Sequence, residues 1–179
     1  MLDHAKLVTR RTIMKVRDVM TEKVNYCLPE TTLAEAAAMM WDHDCGALPV
    51  VIDDAKVIGM ITDRDIAIAA GTKARPAFDI PVKEAMSQAL YACSPNDDIH
   101  AALNTMSNDK VRRLPVLDAE GNLKGILSMN DIILFANKDR KKDASDLAYE
   151  DIVKTYKAIC EHRSFEEPVK EQKLLTVSI

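Results

Sequence analysis

The sequence contains one unit written twice. Residues 16–66 laid over residues 82–132, at a constant offset of 66, align without a gap. Identical pairs occur at Val16/Val82, Met20/Met86, Cys27/Cys93, Pro29/Pro95, Ala36/Ala102 and Met40/Met106. A second series follows at Leu48/Leu114, Pro49/Pro115, Val50/Val116, Gly59/Gly125, Asp65/Asp131 and Ile66/Ile132. The agreements fall on prolines, glycines and apolar positions, where turns and cores are decided. Conservative pairs such as Leu33/Ile99, Val57/Leu123 and Thr62/Ser128 lie between them. An internal repeat of this kind means one supersecondary unit used twice.

Each copy reads in the order β-α-β-β-α. A short apolar strand, residues 24–28 or 90–93, ends at Pro29 or Pro95. The next segment places Leu33, Ala36, Ala37 and Met40, or Ile99, Ala102, Leu103 and Met106, at i, i+3, i+4, i+7. That spacing predicts a helix with one buried stripe, and Thr32 with Glu35 forms a capping box at its start. Two apolar strands follow, residues 48–52 and 57–61, joined by Asp53-Asp54-Ala55-Lys56, short enough for a hairpin. In the second copy residues 118–122 make that connection. A last helix opens at Thr62 and ends near Gly71, a good C-cap; its counterpart runs from Ser128 to about Ala136.

A unit of about 55 residues buries too little surface to be comfortable alone. Two of them can cover each other about a pseudo-two-fold axis, as an isologous dimer inside one chain. Clefts on such an axis are natural small-ligand sites. The expected class is therefore α/β in the α+β sense, two repeats plus a C-terminal helix. Residues 1–15 form an N-terminal extension, 16–80 and 81–137 the repeats, and 138–179 a charged linker, amphipathic helix and tail.

Composition narrows the function. The 179 residues are 47% hydrophobic and 29% charged, the balance of a soluble globular chain, and carry a formal net charge of −4. Such a surface argues against nucleic acid, whose phosphates favour a basic face. No apolar run approaches the roughly 18 residues that span a bilayer. The start, Met1-Leu2-Asp3-His4-Ala5-Lys6, lacks the apolar core of a signal peptide. Cys27, Cys45, Cys93 and Cys160 form no CxxC pair and suit a reducing cytoplasm.

The strings Leu48-Pro49-Val50-Val51 and Gly59-Met60-Ile61-Thr62-Asp63-Arg64-Asp65-Ile66 resemble the cystathionine β-synthase (CBS) domain. So do Leu114-Pro115-Val116-Leu117 and Gly125-Ile126-Leu127-Ser128-Met129-Asn130-Asp131-Ile132. Two in tandem resemble a Bateman module over residues 16–137. The resemblance implies a regulatory, non-enzymatic module that binds an adenosine-type ligand: AMP, ADP, ATP, S-adenosylmethionine or NAD(H). It also implies association into a disc of four CBS units, here a homodimer, and an effector that is a separate chain. No obligatory cofactor is implied; an adenine nucleotide would be the regulatory ligand.

The chemistry of the motif agrees. Thr62 and Ser128 stand where a strand hands over to a helix N-terminus, whose N–H groups and dipole favour phosphate. Asp65 and Asp131, three residues on, can accept hydrogen bonds from a ribose cis-diol. Gly59 and Gly125 leave room for a ligand to approach the backbone. Thr-x-x-Asp at a helix start is also a capping box in which Asp only satisfies an N–H, and both readings stay open. The resemblance further assigns ligand contact to Arg113, with Arg112 before it, and to Ala47, preceded by Cys45 and Gly46. It lines each cleft with the partner repeat's leading segment: Met20, Thr21, Val24 and Asn25 on one side, Met86, Ser87, Leu90 and Tyr91 on the other. Arg113, and Arg112 with it, are expected at the Asp131 cleft and Ala47 with Gly46 at the Asp65 cleft, so phosphorylated ligands should prefer Asp131. Arginine forks suit phosphate, although the pseudo-two-fold can aim Arg112 across.

Beyond Asn137 come the charged residues 138–143 and a helix over about 144–162. Tyr149, Ile152, Val153, Tyr156, Ile159 and Cys160 mark its apolar face, which either covers the chain's own domain or meets a partner. From Ser164 a loose tail is expected. Residues 1–13 precede the repeat, and Met14 would suffice as the start of a minimal pair. His4, His43, His100 and His162 show no metal-ligand spacing, and no catalytic triad or Walker-type loop is present. Cys27 and Cys93 read as small core residues, with a disulfide between them conceivable only in an oxidising compartment. Two other functions fit the sequence: an assembly protein with empty clefts, and a nucleic-acid-associated regulator using Lys110, Arg112 and Arg113.

Overall fold

Side-chain caps start the first helix of each repeat at equivalent positions, Thr32 and Asp98. In the computed structural model, which describes residues 14–53, 55–136 and 147–161, helix α1 spans Leu33–Asp42 and α3 spans Ile99–Asp109. Thr32 accepts from the Glu35 N–H at 3.2 Å while Glu35 accepts from the Thr32 N–H at 2.8 Å, the expected reciprocal box. The second copy has Asp98 at the cap, accepting from the His100 N–H at 2.8 Å. Residues 1–13 of the extension, residues 138–143 and the tail from Ser164 lie outside the described residues.

Strands β1 (Ala47–Ile52) and β2 (Lys56–Thr62) form one antiparallel hairpin, and β3 (Arg113–Leu117) and β4 (Leu123–Ser128) the other. The register shifts between Val50 and Val51 and, 66 residues later, between Val116 and Leu117, so even the irregularity repeats. Helices α2 (Asp63–Thr72) and α4 (Met129–Phe135) leave directly from β2 and β4.

The leading strands expected at 24–28 and 90–93 shrink to single parallel bridges, Cys27 to Val50 and Cys93 to Val116. Cys27 donates to the Pro49 carbonyl and accepts from the Val51 N–H, at 3.0 and 2.9 Å. The next N–H, of Leu28, then turns to the Thr31 hydroxyl at 3.0 Å. Pro29 has no N–H to continue a ladder, so the chain bends away.

The leaders cross between repeats. Val16 and Val19, in and after a 3-10 turn at Val16–Asp18, belong to the core built by Leu114, Leu127 and Ile132. Ile80 and Val82 belong to the core built by Leu33, Leu48 and Ile61. Backbone bonds fix both crossings: Val16 N–H to Asp97 O at 3.0 Å and Val82 N–H to Thr31 O at 2.8 Å. The hairpin ends also meet, with the Leu123 N–H donating to Ala55 O at 2.9 Å.

This crossing corrects the reading of the two paired glycines. A Cβ on Gly59 would lie 2.5 Å from the Ser87 carbonyl oxygen, and one on Gly125 would lie 2.8 Å from that of Thr21. The space is taken by the other repeat's backbone, held by Ser87 N–H to Met60 O and by Thr21 N–H to Ile126 O, both 2.9 Å. Glycine is required there for the two repeats to close, not for ligand approach.

Helix α5 (Tyr149–Cys160) covers the second core. Leu147, Ile152 and Thr155 are buried, and Tyr156 and Ile159 pack beside them. Of the two roles open for this helix, it performs self-packing, on a face rotated from the expected one. Tyr149 and Val153 are 43% and 54% exposed and Cys160 is exposed, while Thr155 lies on the inward face with its hydroxyl satisfied by the Asp151 carbonyl at 2.9 Å. Cys27 and Cys93 lie in separate cores as free thiols, so no disulfide joins them. Burial pushes the Cys27 thiol up to about 11 and the Cys93 thiol up to about 12.

Candidate functional site

Because the leaders cross, each cleft takes its helix start from one repeat and its facing wall from the other. The Asp65 cleft, about 630 Å³, is lined by Thr62, Arg64 and Asp65 at the β2–α2 junction and by Ser87 and Tyr91 from the second leader. Lys110, Val111, Arg112 and Arg113 from the α3–β3 loop complete that wall, and Ile159 of α5 joins it. The Asp131 cleft, about 310 Å³, is lined by Ser128, Asn130 and Asp131, by Thr21, Lys23, Val24 and Asn25, and by Asp44, Cys45 and Gly46. Ala47 and Arg113, equivalent under the repeat, line both. Volumes of this size suit small molecules.

Capping is present in both copies. Asp65 Oδ2 accepts from the Thr62 N–H at 2.9 Å and from the Thr62 hydroxyl at 2.6 Å, while Thr62 Oγ1 accepts from the Asp65 N–H at 3.2 Å. Asp131 Oδ2 accepts from the Ser128 N–H at 2.8 Å and from its hydroxyl, with Ser128 Oγ accepting from the Asp131 N–H at 3.2 Å. One carboxylate oxygen of each aspartate is thus committed to the helix start, which orients the other. Asp131 Oδ1 accepts from the Thr21 hydroxyl at 3.3 Å. Asp65 Oδ1 accepts no hydrogen bond among the described residues. Each aspartate therefore has one oxygen outside the capping box.

The arginines are distributed otherwise than the sequence suggested. Arg112 lines the Asp65 cleft, the crossing that the pseudo-two-fold allowed, and Gly46, expected at the Asp65 cleft, lines the Asp131 cleft with Cys45 beside it. Arg113 stands between the two: a Cβ on Gly46 would lie 3.3 Å from its Nη2 and 3.0 Å from Asp63 Oδ2. The reason is the pseudo-two-fold, which faces the loop before each strand proline toward the other repeat's helix start. Thr21, Val24 and Asn25 line the cleft of Asp131, and Ser87 and Tyr91 that of Asp65. Leu90 does not line the cleft; its neighbours Ala89 and Tyr91 do.

Sequence reasoning missed Arg64, Lys23, Asn130 and Ile159 and gave Lys110 no role in a cleft. The signal was available in the repeat offset, which pairs Lys110 with Asp44, Arg112 with Gly46 and Arg64 with Asn130. Among the described residues, no group of His, Cys, Asp and Glu is placed to hold a metal ion, and no helix is long and apolar enough to cross a membrane.

Comparison with known proteins agrees with this architecture. A family profile described as the CBS domain matches residues 16–71 and 82–138. The CBS domain-containing protein YhcV of Bacillus subtilis is 34% identical over 139 residues, 76% of this chain and 97% of that one. Hypoxic response protein 1 of Mycobacterium tuberculosis is 37% identical over 147 residues, 80% of this chain and 92% of the relative. Among solved structures, the CBS domain pair of protein MJ0100, in complex with 5′-methylthioadenosine and S-adenosylmethionine, superposes with a TM-score of 0.63 at 24% identity, over 69% of this chain and 95% of the other. With both repeats matched and relatives aligned along nearly their whole length, the chain belongs to the CBS domain family, as a tandem pair.

Proposed function

We propose that the protein is a regulatory module that binds an adenosine-type nucleotide in its clefts and reports occupancy to a separate partner chain in the cytoplasm, without catalysing a reaction. The observation that carries this is the shared geometry of Asp65 and Asp131. Each has one oxygen locked in a capping box and the second outside it, beside the leader of the opposite repeat. A carboxylate held in that way accepts a ribose hydroxyl without reorganising. The adenosine ligands of the MJ0100 pair support the same class. Thr62, Ser128, Ser87, Asn25 and Arg113 are the further contacts, and Thr21 orients the Asp131 carboxylate.

Occupancy has a route outward at one cleft. Ile159 lines the Asp65 cleft, and Lys110 of the same cleft donates to the Glu161 carbonyl at 2.9 Å, so the end of α5 shares two residues with the site. A ligand that moves Lys110 changes how α5 is held, and a partner reads that change as a population shift. Homodimerisation fits the helix faces: Ile68 on α2 and its repeat equivalent Leu134 on α4 are 51% and 85% exposed, and Trp41 on α1 is 86% exposed. A second copy would cover such apolar surface, and sedimentation showing only monomer at high micromolar concentration would remove that part of the proposal.

The test is a thermal-shift panel of AMP, ADP, ATP, S-adenosylmethionine and NADH. Binding to the folded state stabilises it by about 2.7 kcal/mol at a hundredfold excess over Kd. A rise in melting temperature with at least one adenosine compound is expected. No shift with any of them would leave a structural protein with empty clefts as the better reading.

A further inference from the structure

The two clefts share a backbone frame, and the repeat offset allows their side chains to be compared place by place. Lys110 and Asp44 occupy the same loop position with the same left-handed backbone, φ 55° and 47°, so opposite charges leave the chain from equivalent places. Two residues on, Arg112 stands at the Asp65 cleft where Gly46 stands at the Asp131 cleft. At the helix starts, Arg64 faces Asn130 across the offset. With the shared Arg113, the Asp65 cleft holds four cationic side chains against the carboxylates of Asp63 and Asp65. The Asp131 cleft holds Lys23 and Arg113 against Asp44 and Asp131. The first cleft also has about twice the volume, 630 against 310 Å³.

We infer that the Asp65 cleft is the site for nucleotides with a charged phosphate chain, and that the Asp131 cleft takes adenosine compounds without one. This rests on the adenosine reading above and divides it between the clefts. Arg112 and Lys110 are the residues that discriminate. A guanidinium and an ammonium that converge on one cleft bind successive phosphates, and each phosphate added brings a further charge-assisted contact. At the other cleft the Asp44 carboxylate, placed where Lys110 would be, repels the same phosphates. Gly46 adds no donor there, and a Cβ at that position would press on the ends of the Asp63 and Arg113 side chains, at 3.0 and 3.3 Å. The asymmetry is therefore fixed by three paired positions rather than by the ribose-binding aspartates, which are the same in both.

The experiment is calorimetric titration of the full chain with adenosine, AMP, ADP and ATP, with inorganic triphosphate as a phosphate-only probe. The Asp65 cleft is identified as the site lost in Asp65→Ala. At that site affinity should rise from adenosine to ATP and should weaken with added salt, as exposed charge pairs do. Arg112→Ala should lower ATP affinity there about tenfold or more while leaving adenosine unchanged. Arg112 is exposed, so this variant keeps the fold. In the reverse direction, Asp44→Lys should create a phosphate preference at the Asp131 cleft. Equal affinities for adenosine and ATP at the Asp65 site, or equal losses of both in Arg112→Ala, would overturn the inference. Triphosphate that binds wild type but not Arg112→Ala, with no adenosine compound binding, would sink the adenosine reading and keep the phosphate site. Failure of triphosphate and of every adenosine compound would sink both.

Discussion

At the Asp131 cleft the carboxylate outside the capping box already has a partner, the Thr21 hydroxyl at 3.3 Å; at the Asp65 cleft the corresponding hydroxyl, of Ser87, donates instead to the Ala89 carbonyl at 3.1 Å. A ligand hydroxyl at Asp65 thus meets an oxygen that accepts no other bond among the described residues, whereas at Asp131 it shares the oxygen with the Thr21 hydroxyl. The walls differ as well. Helix α5 reaches the Asp65 cleft through Ile159, and no helix plays that part at the Asp131 cleft among the described residues. Duplication supplied one frame. The side chains that line the copies then differ at a few positions, and α5 reaches only one of the two clefts.

The largest expected effect tests that attachment. Ile152, 4% exposed beneath α5, anchors the helix on the second core. Ile152→Ala should cost about 2–5 kcal/mol of folding stability in denaturant titration. Since α5 lines only one cleft, any loss of ligand affinity should appear at the Asp65 site. A loss confined to the Asp131 site would break the comparison.

The next effect concerns the frame itself. An alanine at Gly59 meets a backbone carbonyl at 2.5 Å, and one at Gly125 meets its counterpart at 2.8 Å with the flexible Met20 sulfur at 2.9 Å. Both substitutions should destabilise, by about 1–3 kcal/mol, because a packed crossing cannot admit a methyl group without shifting. Gly59→Ala should be the worse of the two. If neither lowers the melting temperature, the repeats do not close as tightly as described.

These glycines also show where the sequence was readable and where it was not. Local devices could be read directly: the Thr32–Glu35 box, the Thr62 and Ser128 helix starts and both hairpins all depend on residues a few positions apart. The crossing of the leaders could not, because apolar periodicity at Val16 or Val82 says that a residue is buried but not in which copy. Gly59 and Gly125 were therefore assigned to a ligand when a backbone occupies their space. The cleft that Arg112 enters is open in the sequence for the same reason, since a pseudo-two-fold exchanges walls without leaving a mark on either repeat. At α5 the periodicity gave the helix but not its rotation, because Thr155 reads as polar in the sequence while its hydroxyl, bonded to the Asp151 carbonyl, can be buried.

A smaller effect separates the two aspartates. Thr21→Ala removes the hydroxyl that bonds Asp131 Oδ1 and should cost about 0.5–1.5 kcal/mol of stability at most, the net worth of an ordinary hydrogen bond. It should also free that oxygen, so adenosine affinity at the Asp131 site should hold or rise while the Asp65 site stays unchanged. A clear fall in adenosine affinity at the Asp131 site would mean that Thr21 itself holds the ligand.

The last expectation changes no stability and distinguishes the clefts by chemistry. Cys45 lines the Asp131 cleft, and the equivalent position at the Asp65 cleft is Val111, so a thiol marks one site alone. Cys27 and Cys93 stay silent in the folded protein: burial holds their thiols at about 11 and about 12, above the ordinary value of 9.0, and thiolate is the reactive form. The same shift makes stability fall as pH rises past 9, because an unfolded thiol ionises before a folded one does. At pH 8, therefore, an alkylating reagent should modify the exposed Cys160 first and the half-buried Cys45 more slowly. In a Cys160→Ser background, adenosine should protect Cys45, and ATP should protect it much less at concentrations that saturate the Asp65 cleft. Mass spectrometry of the labelled peptides reads this directly. Equal protection by both compounds would mean that phosphate does not divide the clefts, and protection by ATP alone would reverse their assignment.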